Sequence, residues 1–240
     1  MQREFIDIAA HELRTPIQPI LGLAETLYSH TNDPEQAKSL EVIRRDAKRL
    51  MRLSADILDV TRIEGKSLEL KEEEFNLNDV ILDAMNDITL RREFLDKKNI
   101  RLSYNPRDIT IQADKERITQ VVSNLLDNAV KFINKAEKGG TVTIEVEKKR
   151  ITRGRIERQN KEHDNIVVVN IKDDGPGIDP EVMPKLFSKF VSTSFTGTGL
   201  GLFISKSIVE AHGGDMWAGN NADGKGATFT FSLPIREQKS

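Results

Sequence analysis

The spacing of apolar residues between positions 40 and 61 is the strongest constraint on how this chain can fold. They recur at alternating intervals of three and four, as in a coiled-coil seam: Leu40, Ile43, Ala47, Leu50, Ser54, Ile57 and Thr61. A second helical pattern over residues 2 to 28 places on one face Phe5, Ile8, Leu13, Ile17, Ile20, Ala24 and Leu27. Two helices alone cannot bury both stripes, so the pattern favours a dimeric four-helix bundle. A helical hairpin packed on the rest of its own chain is the alternative.

A polar break over residues 30 to 33 separates these two helices. Asp33 is suited to cap the second helix, and Pro34 to occupy its first position. Gln36 stands where a capping box places Glu or Gln. We therefore predict a helical hairpin over residues 1–63.

The rest of the chain alternates between helical and strand patterns, which predicts an α/β sandwich over residues 76–240. The charged residues 64–75 are the predicted linker. Helices are predicted at 77–97 and 115–133 and after Gly201 to about His212, and strands at 100–104, 109–111, 141–148, 166–172 and 228–233. An insertion at 149–165 carries Arg150, Arg153, Arg155, Arg158 and Lys161. It is either a basic contact surface or a solvated hairpin tip.

Composition excludes several classes of protein. The net charge of -2 gives no global attraction for nucleic acid. Cysteine is absent, which excludes disulfides and thiolate metal sites. We find neither a long apolar span nor a signal peptide, and we expect a cytoplasmic location.

The first chemically suggestive motif is the run His11-Glu12-Leu13-Arg14-Thr15-Pro16 on the first helix. The Glu12 carboxylate can accept the Nδ1 proton of His11, which leaves Nε2 as an exposed nucleophile. Thr15 lies one turn further on the same face, where its hydroxyl can position water. Pro16 removes a helical hydrogen bond beside His11, so we expect a bend there.

A second motif lies in the helix predicted at 115–133. Asn124 and Asn128 are four residues apart and therefore leave the same face. An amide oxygen is a hard, neutral ligand suited to Mg²⁺. Lys131, one turn beyond Asn128, can offset phosphate charge. Solvent-facing asparagines on an ordinary amphipathic helix are the alternative.

Two glycine-rich segments complete the candidate site. Asp173 ends an apolar strand and enters a turn with Gly175 and Gly177, where its carboxylate can accept a hydrogen bond from the exocyclic amine of adenine. The run Gly197-Thr198-Gly199-Leu200-Gly201 precedes a helix whose first amides can face phosphate. It is no Rossmann fingerprint, because no strand precedes it.

Taken together, these four motifs resemble the catalytic core of sensor histidine kinases, from about Phe5 to Pro234. The resemblance implies that His11 is phosphorylated, that Glu12 is the base, and that Thr15 serves phosphatase chemistry. It implies that Asn128 holds the metal, that Asn124 and Lys131 face the phosphates, and that Asp173 reads adenine. It also places Thr228 near adenine, and compares Phe187, Phe190 and residues 192–196 with an aromatic box and a lid over ATP.

The same resemblance implies ATP and Mg²⁺ as cofactors, a homodimer, and a response-regulator receiver domain as partner. Related hydrolytic ATPases carry a glutamate where this chain has Asn124, so we expect slow attack by water and transfer to His11. Sensor kinases usually carry a sensing or membrane segment upstream, so we expect either such a module ahead of this chain or a separate sensor that feeds the kinase. The alternatives are a phosphatase acting mainly through Thr15 and a dimeric scaffold that binds nucleotide without transfer.

Overall fold

The chain folds as two units. The computed structural model describes residues 2–90, 99–134, 139–151, 164–191 and 197–235, with the backbone alone for residues 2–14, 134, 151 and 164. The first unit contains Met1–Leu68 and Ser194–Leu200, and the second contains Glu69–Thr193 and Gly201–Ser240. The predicted fold class, a helical region followed by an α/β sheet domain, is confirmed.

Two long helices make up the hairpin of the first unit: α1 (Gln2–His30) and α2 (Pro34–Glu64). The predicted N-cap is confirmed, because Oδ1 of Asp33 accepts a hydrogen bond from the amide of Glu35 at 3.0 Å. The predicted capping box with Gln36 is wrong. Its Oε1 accepts from the Thr31 hydroxyl at 3.0 Å, and that hydroxyl accepts the Asp33 amide at 3.3 Å. Thr31 therefore takes the role that the sequence suggested for Gln36.

Only part of the predicted seam is buried within the hairpin. Ala47 and Ser54 of α2 are buried, as are Ile17 and Ala24 of α1. Other positions of the two predicted stripes are exposed: Ile20, Leu27, Ile43, Leu50 and Ile57. A single copy of the hairpin thus leaves an apolar stripe facing outward.

A five-stranded mixed sheet forms the scaffold of the second unit, in the order β2-β4-β5-β7-β6. Its strands are β2 (Ile100–Tyr104), β4 (Gly140–Ile151), β5 (Asp164–Asp173), β6 (Met216–Asn220) and β7 (Ala227–Pro234). β2 pairs parallel with β4, and the other pairs are antiparallel. A separate antiparallel pair joins β1 (Glu73–Asn76) to β3 (Thr110–Ala113).

Among the described residues, three α-helices accompany this sheet: α3 (Leu77–Leu90), α4 (Lys115–Asn134) and α5 (Gly201–Ala211). The buried face of α4 is fully apolar and includes Ile118, Val121, Val122, Leu125, Leu126 and Ala129. This face packs against β4, β5, α3 and α5. Burying it leaves the polar residues of α4 on the opposite side, which fixes where the candidate site lies.

Two strands were missed from the sequence. β1 begins inside the predicted linker, where three consecutive acidic residues hide a strand that buries only Phe75. β6 contains a glycine and has only Met216 fully buried. Short edge strands with so little apolar alternation do not stand out in a sequence. Most of the basic insertion lies outside the described residues, but its ends pair in β4 and β5 at Ile151 and Asp164.

The N-cap of α2 yields a test of hairpin stability. We expect Asp33→Ala to lower the free energy of unfolding of the hairpin by about 1 kcal/mol, because the Glu35 amide loses its acceptor. Thermal unfolding followed by circular dichroism measures the change. Asn32→Ala, at the neighbouring exposed position, is the matched control and should change little. Equal effects of the two substitutions would contradict the capping role.

Candidate functional site

The polar side of α4 carries the first group of candidate residues. Asn124, Asn128 and Lys131 are each half-buried on this face. The Asn124 amide Nδ2 donates to the Ser205 hydroxyl of α5 at 2.8 Å, and Ser205 is itself 1% exposed. That bond fixes the orientation of the Asn124 amide. Asn128 has no side-chain hydrogen-bond partner among the described residues, so its amide oxygen is available to a ligand.

Close packing against Asn124 explains the glycine that begins α5. A Cβ atom at Gly201 would overlap Oδ1 of Asn124. Only glycine permits this approach of the α5 backbone to the Asn124 amide. Since Gly201 also starts the helix, its first free amides lie beside the polar face of α4.

Asp173 is a buried carboxylate at the end of β5, only 3% exposed. Its Oδ1 accepts hydrogen bonds from the amides of Gly175 at 2.9 Å and Ala227 at 3.4 Å. Burial raises the pKa of Asp173 above its usual range, and the two amides oppose that shift. The neighbouring Asp174 is exposed, and its Oδ1 accepts the amide of Thr141 at 2.8 Å. Of the two adjacent carboxylates, Asp173 is therefore the buried one.

The turn before β7 closes on the end of β5. Gly226 has a φ of 73°, and a Cβ there would overlap the carbonyl oxygen of Asp173. Asn221 holds this turn, because its Nδ2 donates to the carbonyls of Asp173 at 2.8 Å and Lys225 at 2.6 Å. This turn thus places the Ala227 amide against the Asp173 carboxylate.

Thr228 lies on the opposite face of the sheet from Asp173. Strand residues alternate between faces, and β7 buries Ala227, Phe229 and Phe231 on the side of Asp173. Thr228 instead pairs with Lys172 and donates to Oδ1 of Asn221 at 2.6 Å. The residue that contacts the Asp173 carboxylate is Ala227, one position earlier.

Several predicted residues belong to the first unit. Gly197, Gly199 and Leu200 group with the hairpin. There the Thr198 hydroxyl donates to Oδ2 of Asp56 at 2.8 Å, and burial raises the pKa of Asp56. His11 and Glu12 lie in α1, but their side chains fall outside the described residues; Thr15 is exposed. The second unit contains Asn124, Asn128, Lys131, Asp173, Gly175, Gly177, Gly201 and Thr228.

The two candidate aromatic-box residues differ in their surroundings. Phe187 is half-buried, with the ammonium of Lys206 5.1 Å from its ring centroid. Phe190 is 73% exposed and has a φ of 63°, so it is not a core residue. The lid over residues 192–196 lies outside the described residues.

Sequence reasoning missed Ser205, Asn221 and Ala227. Asn221 had a recognisable signal, since asparagine before a glycine-rich turn commonly bonds nearby backbone groups. Ser205 had none, because a serine inside a helix is usually neutral to function. Ala227 contributes only its backbone amide, which no side-chain motif can reveal.

Comparisons with known proteins identify the family of this chain. Residues 113–237 match the model of the histidine kinase-, DNA gyrase B- and HSP90-like ATPase family. Residues 1–66 match the His Kinase A (phospho-acceptor) domain. The chain belongs to this ATPase family, and the two domains together make it a histidine kinase catalytic core.

Individual relatives point the same way. Sensor histidine kinase WalK of Bacillus subtilis is 31% identical over 99% of this chain and 37% of its own length. Sensor histidine kinase ZraS of Salmonella typhi is 31% identical over 94% of this chain and 44% of its own. The chain thus spans less than half of these curated relatives.

Solved structures show the same arrangement of elements. Full-length ShkA in complex with AMPPNP has a TM-score of 0.70 at 27% identity, covering 99% of this chain and 47% of that one. The Acinetobacter baumannii histidine kinase AdeS has a TM-score of 0.61 at 25% identity, covering 95% and 98%. Both cover the helical and the α/β parts of this chain.

The raised pKa of Asp173 gives a test of its burial. Because its pKa is raised in the folded state, the Asp173 carboxyl binds a proton more tightly there than in the unfolded chain. The resulting contribution to stability is fully present at pH values below the usual carboxyl pKa and is lost as the pH rises through the raised pKa. We therefore expect Asp173→Asn to increase the free energy of unfolding at neutral pH and to have little effect in acid. Denaturant unfolding at the two pH values measures this. A free energy of unfolding that Asp173→Asn leaves unchanged at neutral pH would contradict this expectation.

Proposed function

We propose that this chain carries out autophosphorylation: it transfers the γ-phosphoryl group of ATP to His11 and then passes it to an aspartate of a response-regulator receiver domain. The observation that carries the proposal is the orientation of Asn124. Its amide is held by Ser205 and backed by Gly201, so this position offers a neutral dipole that cannot take up a proton. Water near the γ-phosphate therefore lacks a base at this position, which favours transfer to a protein nucleophile.

Adenine would be recognised by Asp173. One carboxylate oxygen is occupied by two backbone amides, which aims the group and leaves the other oxygen to accept from the exocyclic amine. Guanine presents a carbonyl at that edge and would be repelled. This supports ATP over GTP as the donor.

Asn128 fits a magnesium ligand. Its amide oxygen is a hard, neutral donor without a partner among the described residues. Within those ranges no group of three or more His, Cys, Asp or Glu could hold a metal by itself. Mg²⁺ would therefore be held mainly by phosphates and water, and when bound it would neutralise phosphate charge. Lys131, one turn further along α4, adds a positive charge to the same face.

The transfer itself needs a nucleophile and a proton acceptor. In the proposed step, Nε2 of His11 bonds to the γ-phosphorus as the bond to the ADP oxygen breaks, and Glu12 takes up the Nδ1 proton. The N–P bond formed is labile, so phosphohistidine is a good donor to a receiver aspartate.

ATP and a receiver partner are both cytoplasmic, which supports a cytoplasmic location. No helix in the described ranges is long and apolar enough to cross a membrane.

The function is tested by labelling with ATP carrying a radioactive γ-phosphate. We expect an acid-labile label on the wild-type chain and none on His11→Gln, because glutamine lacks a nucleophilic ring nitrogen. His30→Gln, an exposed histidine at the end of the same helix, is the matched control and should be labelled normally. Persistent labelling of His11→Gln, or ATP hydrolysis without any labelled histidine, would overturn the proposal.

We also propose that a second copy of this chain covers the exposed apolar stripe of the hairpin. Ile43, Leu50 and Ile57 recur every seven residues on α2, and each is at least 39% exposed. Such a stripe matches its own copy in an antiparallel or parallel bundle, and the phospho-acceptor domain match supports the dimer.

The dimer is tested with a charge in the middle of the stripe. We expect Leu50→Glu to convert the dimer to monomer, since the interface would bury an unpaired carboxylate. Analytical ultracentrifugation measures the mass in solution. Lys38→Glu, at an exposed polar position of the same helix, should leave the dimer intact. An undiminished dimer in Leu50→Glu would place the interface elsewhere.

A further inference from the structure

A buried histidine joins the end of α5 to the start of α4. His212 directly follows α5 and is 3% exposed. Its Nδ1 lies 2.8 Å from the carbonyl oxygen of Ile208, and its Nε2 accepts the backbone amide of Asp114 at 3.0 Å. A carbonyl only accepts and an amide only donates, so the ring is neutral with its proton on Nδ1. Both ring nitrogens are thus fully used.

Asp114 directly precedes α4 and is its N-cap residue. It is 6% exposed, and its Oδ1 caps the helix by accepting the amide of Arg117 at 3.0 Å. Its Oδ2 accepts the amide of Lys71 at 2.9 Å, from the segment that leads into β1. Because the Asp114 amide binds His212, this one residue ties the start of α4 to two other parts of the unit.

Two hydrogen bonds therefore join α4 to α5. Asn124 bonds Ser205 in the middle of α4, and Asp114 bonds His212 at its start. The order of these pairs shows that α4 and α5 run antiparallel. Asn124 lies ten residues beyond the cap, roughly 15 Å along the helix, so a tilt of about 4° at the cap displaces it by about 1 Å.

We propose that His212, acting through Asp114, is a positioning residue that sets the angle of α4 and so aims Asn124 and Asn128 at the nucleotide. The inference deepens the proposed function and rests on it. Without the imidazole acceptor, the Asp114 amide is buried without a partner, and the start of α4 must shift to reach another one. The apolar face of α4 alone does not fix this angle, because apolar contacts have no preferred direction.

The test compares three replacements of His212 in the full chain. Glutamine is long enough to place an acceptor near the position of Nε2, asparagine reaches only as far as Nδ1, and phenylalanine fills the space without an acceptor. We expect His212→Gln to bind a fluorescent ATP analogue within about 3-fold of wild type. His212→Asn and His212→Phe should bind at least about 10-fold more weakly, with the KM for ATP rising in parallel.

A control variant distinguishes a specific loss of nucleotide affinity from a general loss of stability. Ile100→Ala removes a buried side chain from β2, an edge strand that pairs with β4. It should lower the melting temperature but leave the affinity of the folded protein and the KM for ATP unchanged.

Two results would overturn the inference while the wild type still binds the analogue. One is unchanged affinity in His212→Asn and His212→Phe. The other is affinity that follows melting temperature across all variants, with no recovery in His212→Gln. If His212→Phe does not fold, the comparison of glutamine with asparagine decides. If the wild type binds no analogue, the proposed function itself fails.

Discussion

The structure of the second unit depends on the burial of one face of α4. Its apolar residues fill the space between the sheet and the neighbouring helices, and the helical period then forces the remaining residues to the other side. Asn124, Asn128 and Lys131 owe their common face to this packing. The candidate site is thus a consequence of how the core is filled, with the asparagines lying on the back of a core helix.

Around that helix, backbone groups form many of the hydrogen bonds that orient the candidate site. The Asp173 carboxylate is oriented by the amides of Gly175 and Ala227, and the Asp173 carbonyl accepts from Asn221. Gly201 and Gly226 are required because side chains there would collide with Asn124 and with the Asp173 backbone. A site built this way holds few charges, which is consistent with the proposed transfer of a phosphoryl group to a protein nucleophile.

In the hairpin, the residues that pack within one chain differ in size from those that are left exposed. Ala47 and Ser54 are small and buried, which lets α1 and α2 approach closely. Three of the larger seam residues, Ile43, Leu50 and Ile57, are instead exposed in a single copy. Small residues inside and large ones outside fit the proposed dimer, in which a second copy would cover the exposed residues.

The sequence by itself determined the fold class, most of the helices and strands, and the common face of Asn124 and Asn128, because hydrophobic period and helix geometry are local properties. Asp173 could also be recognised from its place between an apolar strand and a glycine turn. Only the tertiary structure decided that Thr228 lies on the opposite face from Asp173, that Ala227 supplies an amide, and that Ser205 and His212 fasten α5 to α4. Those features join residues from 54 to 98 positions apart, and no local pattern encodes which distant backbone amide a buried side chain will meet.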